Sequence, residues 1–431
     1  MWTNWSTLES ANPTRTAAPT SVDAIVAEVA RAREARSLVK MVGSSHSFTG
    51  IASPDNGTQL LPGGLRGLIS IDEDALTATA WAGTQLKALN AELEARGYSL
   101  HNMGDIAEQT LAGATQTGTH GSGGIVAGIA AQIAALQLVS GTGEVLNCSP
   151  TENAEVFEHA RVGLGALGIV TQLTFRIEPL FALEAHEAPL GWDEFFDNFD
   201  AMVEDANHVD AYWFPHTDRF SAKRNYRIDV DEAKPLTPFQ AWFGDHLMQN
   251  TLFGTLTEIG HRAPKIVPRI NRVEASAMSP RHYSDVAHKV FTTERTVRFK
   301  EMEYALPRAD GLEVLKECRR AIDRSGLNIS FPVEVRTARA DELPLSTASG
   351  RDSLYLAFHT YYKDDHRPYF NLIEPILKAA AGRPHWGKWN TRAAADLAPI
   401  YPRFEDFLAV RNRLDPDRVF ANAYLRRVLG D

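Results

Sequence analysis

Residues 37–48 read Ser37-Leu38-Val39-Lys40-Met41-Val42-Gly43-Ser44-Ser45-His46-Ser47-Phe48, an apolar β-like run that stops at Gly43 and passes into a loop of small residues. A strand ending in such a turn lets backbone N–H groups converge on a phosphate. Gly43 frees the chain to turn, and three serines add hydroxyls. An imidazole at His46 would sit beside any nucleotide held there. Taken by itself, the string serves equally well as a loop in which His46 caps or packs.

Outward from this loop, residues 113–123 read Gly113-Ala114-Thr115-Gln116-Thr117-Gly118-Thr119-His120-Gly121-Ser122-Gly123, with four glycines and three threonines. Small side chains allow a flat polar ligand to approach closely, and backbone donors can satisfy its heteroatoms. The wider stretch 111–128 is too rich in Gly, Ala, Ser and Thr to read as a conventional core element, and a surface loop is the other reading. Neither a GxGxxG turn nor a Walker loop is present, which disfavours the usual NAD and ATP sites. A third string, Gly163-Leu164-Gly165-Ala166-Leu167-Gly168, is apolar enough to be either ligand contact or tight packing.

The flanking segments predict small α/β layers. Residues 21–35 have helical spacing with Ser21 as N-cap, 67–82 suggest two strands about an acidic turn, and 84–97 an amphipathic helix. Residues 134–148 read as a hairpin turned by Gly141-Thr142-Gly143, and 163–179 end in an alternating strand. Near Pro179 the composition shifts toward aromatic strands such as AYWFPH, FKEMEYALP and SLYLAFHTYY, interspersed with helices, as in a sheet with helices laid against it. No internal repeat is visible.

At 431 residues the chain exceeds one ordinary core, so two domains are expected. A hydrophobic fraction of 44% and a charged fraction of 23% are those of a globular protein. The net charge of −10, with no basic stripe, argues against nucleic acid as a partner. Cys148 and Cys318 lie far apart without CxxC spacing, so neither a disulfide framework nor a zinc site is expected, and no metal is assigned. The start of the chain does not read as a secretory signal and no window reads as a membrane span, so a soluble, cytoplasmic protein is expected.

In SFPVEVRTA, period-two geometry puts Glu334 and Arg336 on one face with Val335 on the other. Side by side they can accept from and donate to hydroxyl groups; on a solvent face they would be an ordinary ion pair. His385-Trp386-Gly387-Lys388 places a cation on a bulky turn where it could stabilise developing negative charge, or merely be an exposed lysine.

In this order, VGSSHSF, GATQTGTHGSG, GLGALGIVT, PVEVR, RPHWGKW and LDPDRVFANAYLRRVLG resemble the aldonolactone oxidase and alditol oxidase group of the vanillyl-alcohol-oxidase-type flavoproteins, over nearly the whole chain. The resemblance implies an α+β fold, with a two-subdomain FAD-binding domain of PCMH type and an α+β cap domain built on a large antiparallel sheet. Its boundaries would be 1–180 for the FAD domain, 181–385 for the cap and 386–431 for a segment returning to the FAD domain. His46 would carry FAD covalently. Met41, Val42, Gly43, Ser44, Ser45 and Ser47 would cradle its pyrophosphate, while Thr110, Gly113, Thr117, Gly118, Thr119, His120, Ile169 and His385 would line the rest. Glu334, Arg336 and Lys388 would act on substrate, with Asp105 and Thr360 contacting it. The implied activity is hydride transfer from a hydroxyl-bearing carbon to flavin N5, with dioxygen or another acceptor taking the electrons. Asp105, together with Glu301 and Glu303 of FKEMEYALPR, favours a 1,4-lactone of the gulono-, galactono- or arabinono- type. Thr360 and the run VRTARADELPLS resemble alditol oxidases, which keeps a xylitol- or sorbitol-like polyol as the alternative. A nucleotide-binding regulator without turnover would lack the Glu334, Arg336 and Lys388 set, and a purely structural protein has no use for the Gly/Thr loop.

Overall fold

In the computed structural model, which describes residues 1–123, 128–241 and 250–430, the first helix begins where Ser21 predicts it. The Ser21 hydroxyl accepts from the Ala24 N–H at 3.1 Å, and the helix Val22–Glu34 buries Ile25, Val29 and Ala32. These pack with Val39 and Leu60 of a three-stranded parallel sheet made of Arg15–Ala17, Thr58–Leu60 and Val39–Met41. The strand Val39–Met41 delivers the chain to the Gly43–Ser47 loop at the sheet edge.

Next comes a five-stranded antiparallel sheet in the order Val145–Cys148, Ile133–Val139, Ile169–Arg176, Thr77–Trp81, Leu68–Asp72. Both expected hairpins are present, closed by Val145 opposite Val139 and by Asp72 opposite Thr77. Leu86, Leu89 and Leu93 of the helix Leu86–Glu94 join Leu136, Leu173 and Phe175 in its core.

The stretch read as a non-core loop is different at its start: Leu111–Gln116 is a short helix, with Leu111, Ala114 and Thr115 buried. The Thr110 hydroxyl caps it by accepting from the Gly113 N–H at 3.1 Å. The Gly43 turn lies against this cap, where a Cβ at Gly43 would fall 2.4 Å from the Thr110 Oγ1. Residues 124–127 of that stretch lie outside the described residues.

From Ala182 onward the chain builds an eight-stranded antiparallel sheet. Its order is Arg281–Val286, Ala182–Gly191, Arg219–Ile228, His208–Phe214, Val333–Ala338, Ser353–Tyr361, Phe299–Pro307, Arg383–Pro384. Helices Trp192–Asp205, Gly311–Ser325 and Arg367–Ala379 cover one face, over a core that includes Phe195, Trp213, Phe220, Leu315 and Phe358. Phe195 stacks on Phe220 with ring centroids 3.8 Å apart; each such buried ring contributes about 1.5–3 kcal/mol. The opposite face of this sheet turns toward the loops around Asp105 and Thr119 and carries the polar residues described below.

Beyond Pro384 the chain rejoins the first core, where Trp386, Leu397, Tyr401, Phe407 and Leu425 are buried. The Val39 N–H donates to the Val419 carbonyl at 2.9 Å. The Asn422 amide holds the carbonyls of Gly50, Ile51 and Ser53 at 2.9–3.1 Å. Cys148 and Cys318 are free, buried thiols in separate cores. No helix among the described residues is long and apolar enough to cross a membrane.

Candidate active site

Two cavities meet at Gln109, which lines both. The first, about 1060 Å³, is walled by Met41, the Gly43–Ser47 loop, Thr110, Gly113, Thr117, Leu164, Gly165, Gly168 and Ile169. None of the N–H groups of Gly43–Ser47 donates to a described oxygen, so a row of backbone donors is left for a ligand. Buried donors rarely stay unmatched, and a pyrophosphate is the kind of group that satisfies several at once. Ser45 adopts a left-handed φ of 59°, held by the Trp2 indole N–H donating to its Oγ at 2.9 Å and by the Trp5 N–H donating to its carbonyl at 2.8 Å. The GLGALG string contributes Leu164, Gly165 and Gly168 to the wall as well as packing, for a Cβ at Gly168 would meet the Val139 carbonyl at 2.7 Å.

His46 stacks on Trp5 at 5.5 Å, and its ring nitrogens make no hydrogen bond to a described residue. Burial holds its pKa below the usual value, with Glu108 opposing and Lys388 and Lys87 adding to the effect. The imidazole is therefore neutral, with a lone pair available on one nitrogen.

The second cavity, about 920 Å³, lies between the loops and the polar face of the large sheet. Asp105, Thr119, His120, Tyr212, Arg295, Glu301, Glu303, Glu334, Arg336, His359, His385 and Lys388 all reach it. Glu334 and Arg336 share one face as their spacing predicts, and Arg336 Nη2 lies 2.6 Å from Glu334 Oε1. Arg336 Nε donates to Asp210 at 2.7 Å, and the Tyr212 hydroxyl donates to Glu334 at 2.8 Å. Burial pushes the Glu334 carboxyl up despite Arg336 beside it. For Arg336 the burial penalty is overcome by Glu334 and Asp210, which keep it firmly cationic.

Lys388 sits on the turn after His385, with its ammonium bonded to the buried Glu301 carboxylate and 4.8 Å from the Phe48 ring. The Phe48 N–H donates to the Gly387 carbonyl at 2.6 Å, so the HWGK turn and the His46 loop are joined directly. Burial alone would raise Glu301, but Lys388 and His359 bring it below the usual carboxylate range. His385 accepts at Nδ1 from the Gly387 N–H at 3.1 Å, and burial pushes it down to about 3, leaving a neutral ring with its proton on Nε2. His120 stacks on Tyr355 at 3.7 Å with Nε2 3.1 Å from Glu303. Asp105 takes both Nε and Nη2 of Arg295, at 3.0 and 2.8 Å.

Three expected residues do not reach either cavity. Val42 is buried and its N–H is spent on the Leu60 carbonyl at 2.8 Å. Gly118 is the turn after the short helix, with φ +75°, and lines only a small separate void. Thr360 lies on the sheet face opposite to its neighbour His359, and it is His359 that faces the cavity. Thr119, His120 and His385, expected along the cofactor, line the second cavity.

With this geometry in place, residues 173–428 match the D-arabinono-1,4-lactone oxidase family and residues 13–149 the FAD binding domain. The chain belongs to the D-arabinono-1,4-lactone oxidase family. Relatives of similar name align along most or all of its length. An L-gulono-1,4-lactone dehydrogenase of Mycobacterium tuberculosis is 39% identical, covering 100% of this chain and 99% of its own. An L-gulonolactone oxidase of Bos taurus is 33% identical, covering 99% and 97%. An alditol oxidase of Streptomyces is 32% identical, covering 90% and 89%. The fold is that of a cholesterol oxidase from B. sterolicum, with a TM-score of 0.82 at 16% identity over 99% of this chain and 96% of that one. In this family setting, the FAD-binding domain and the large antiparallel cap sheet are the architecture that the motifs imply.

Sequence reasoning missed Trp5, Asp210, Tyr212, Arg295 and His359 as parts of the site. Alternation in FKEMEYALP does place Glu301 and Glu303 on one face. The register that brings Asp210 opposite Arg336 and Tyr212 opposite Glu334 has no local signal.

Proposed function

We propose that this protein oxidises a sugar 1,4-lactone of the gulono-, galactono- or arabinono- type at a hydroxyl-bearing carbon, with FAD held in the first cavity and attached through His46. The observation that carries the reading is the part-buried Lys388 with the buried Arg336 and Glu334 on a cavity that adjoins the glycine-lined one at Gln109. FAD, when bound, supplies the hydride acceptor. Within the chain, residues 1–180 and 386–431 hold the cofactor and 181–385 forms the cap over the substrate. The relatives named for gulonolactone span the whole chain at up to 39% identity, which favours the lactone over the polyol.

The side chains have separable tasks. Lys388 and Arg336 place positive charge where the substrate hydroxyl gains alkoxide character, and removing one such group costs about 10²–10³-fold in rate. Glu334 accepts from the substrate's other hydroxyls, while Asp210 and Tyr212 fix the Glu334–Arg336 pair from behind. Glu301 anchors the ammonium of Lys388. Each of Lys388, Arg336 and Arg295 is already matched by a carboxylate. An uncharged ring therefore suits the cavity better than the carboxylate formed when a lactone hydrolyses, which would find those cations taken.

A neutral His46 beside Trp5 is in the right state for a bond to the cofactor. Electrons then pass to dioxygen or another acceptor, in a cytoplasmic setting. The test is anaerobic reduction of the bound flavin by a panel of lactones and alditols, followed by air. Bleaching by a gulono-, galactono- or arabinono-lactone supports the reading; bleaching by alditols alone replaces it with polyol oxidation. Rapid return of colour in air marks an oxidase, and persistence of the reduced form marks a dehydrogenase.

A further inference from the structure

Two histidines and a carboxylate converge on the outer, helix-covered side of the large sheet, at its far edge. Glu184 and His186 alternate along Ala182–Gly191, so both point to one face, and His282 of the edge strand Arg281–Val286 stands directly opposite His186 in the register. In the neighbouring strand Tyr226 and Arg224 stand opposite Glu184 and His186, in phase with Phe220 and Ala222 of the helix-side core. The group therefore lies on the other face from Glu334 and Arg336, and takes no part in the site described above.

The three side chains are aimed at one another. Each Glu184 oxygen faces a different imidazole, Oε2 at 3.1 Å from His186 Nε2 and Oε1 at 2.9 Å from His282 Nε2. The two imidazoles meet edge to face at 4.1 Å. All three ligand atoms lie within 4.8 Å of one another, and no ion is needed to bring them there. His186 also packs against Tyr226 at 5.0 Å, whose hydroxyl donates to Asp205 at 2.6 Å, and this fixes the ring's orientation. The side chains remain open to solvent, at 35% for Glu184 and His186 and 60% for His282, so an ion can enter without unfolding. Arg224 is the cation that the adjoining strand sets opposite His186; it tempers affinity without touching the ligand geometry.

We propose that Glu184, His186 and His282 form a binding site for a divalent transition ion of the zinc class. Two neutral imidazole nitrogens and one carboxylate oxygen are the ligand set of three-ligand zinc centres, with water completing the shell. Hard ions such as Mg²⁺ and Ca²⁺ prefer all-oxygen cages and are disfavoured here. The bound ion ties the edge strand Arg281–Val286 to its neighbour, so it acts on stability and leaves turnover alone. Of the two other His/carboxylate groups that could hold an ion among the described residues, one contains His120, Glu303 and His385 and the other Glu301, Glu334 and His359, and both line the substrate cavity.

The test uses tag-free, flavin-loaded enzyme stripped with chelator and titrated with Zn²⁺ by calorimetry, with Co²⁺ as a spectroscopic probe. One equivalent should bind to the surface site, raise the melting temperature and give Co²⁺ bands of nitrogen/oxygen ligation. His186→Ala and His282→Ala should each weaken that binding by at least the roughly 10–100-fold that loss of an outer-shell partner costs. Both variants should keep unaltered turnover and lose the metal-dependent rise in melting temperature. Equal Zn²⁺ affinity in wild type and both variants, or no binding above the millimolar range in wild type, overturns the proposal. Inhibition of turnover by the same equivalent of Zn²⁺ assigns the ion to the substrate cavity and overturns it too.

Discussion

Replacing Lys388 with methionine separates two roles of one ammonium group. The shape and much of the volume of the side chain are kept, but the buried Glu301 carboxylate loses its closest cation. Breaking a buried ion pair from one side costs about 3–5 kcal/mol, because an uncompensated charge stays behind. With an unfolding entropy of about 2.1 cal/mol/K per residue over 431 residues, each kcal/mol moves the melting temperature by roughly 1 °C, so a fall of about 3–5 °C is expected at neutral pH. The pH dependence then reverses sign. In the parent, Glu301 sits below its unfolded pKa of about 4.3, so its contribution is complete above that value and fades as pH drops through the lower folded value. In Lys388→Met, burial is the dominant influence left and raises Glu301, so the penalty is full at neutral pH and is relieved on acidification. The double variant Glu301→Gln/Lys388→Met removes the stranded charge and should regain most of the stability. It should not regain turnover, which falls about 10²–10³-fold in both. Thermal melts from pH 4 to 8, beside anaerobic single-turnover reduction by a gulono- or arabinono-lactone, measure the two effects. A single variant with turnover within threefold of the parent, or a double variant no more stable than the single, refutes this account of Lys388.

Other substitutions test neighbouring links. His46→Ala should leave flavin in the supernatant after acid precipitation, while the parent pellet stays yellow; a colourless parent pellet refutes attachment at His46. Thr110→Val removes the cap on Leu111–Gln116 and should cost about 1 kcal/mol in urea unfolding, with faster loss of any flavin not covalently held. Arg336→Lys keeps a cation but cannot bridge Asp210 and Glu334 together. Its kcat/KM should fall about 10²-fold with a nearly unchanged melting temperature, and a kcat/KM near the parent's would remove Arg336 from the chemistry.

The parts of the site that were legible in the sequence are those whose geometry is local. Glu334 and Arg336 declare a shared face through strand period, and Gly43–Ser47 declares a donor-rich turn through composition. Where the outcome hangs on a single residue of phase, reading fails: His359 and Thr360 are adjacent, yet only the first faces the cavity. Composition also misled at Leu111–Gln116, because Ala, Gly and Thr suggest a loop until Thr110 caps the first turn. Asp210, Tyr212 and Arg295 escape because their roles arise from strand register and loop closure between segments more than eighty residues apart. The same holds for His186 and His282, brought opposite each other only by sheet pairing.

One feature of the architecture bears on how the protein matures. Phe420 walls the first cavity, its carbonyl receives Lys40 at 3.2 Å, and Asn422 pins the segment just after the His46 loop. Phe420 and Asn422 both follow every described strand in the chain. A nascent chain thus carries an unfinished pocket until residues 420–422 emerge, after every described strand has been made. A stop codon in place of Phe420 would yield a chain that keeps every described strand yet lacks one wall of the flavin pocket.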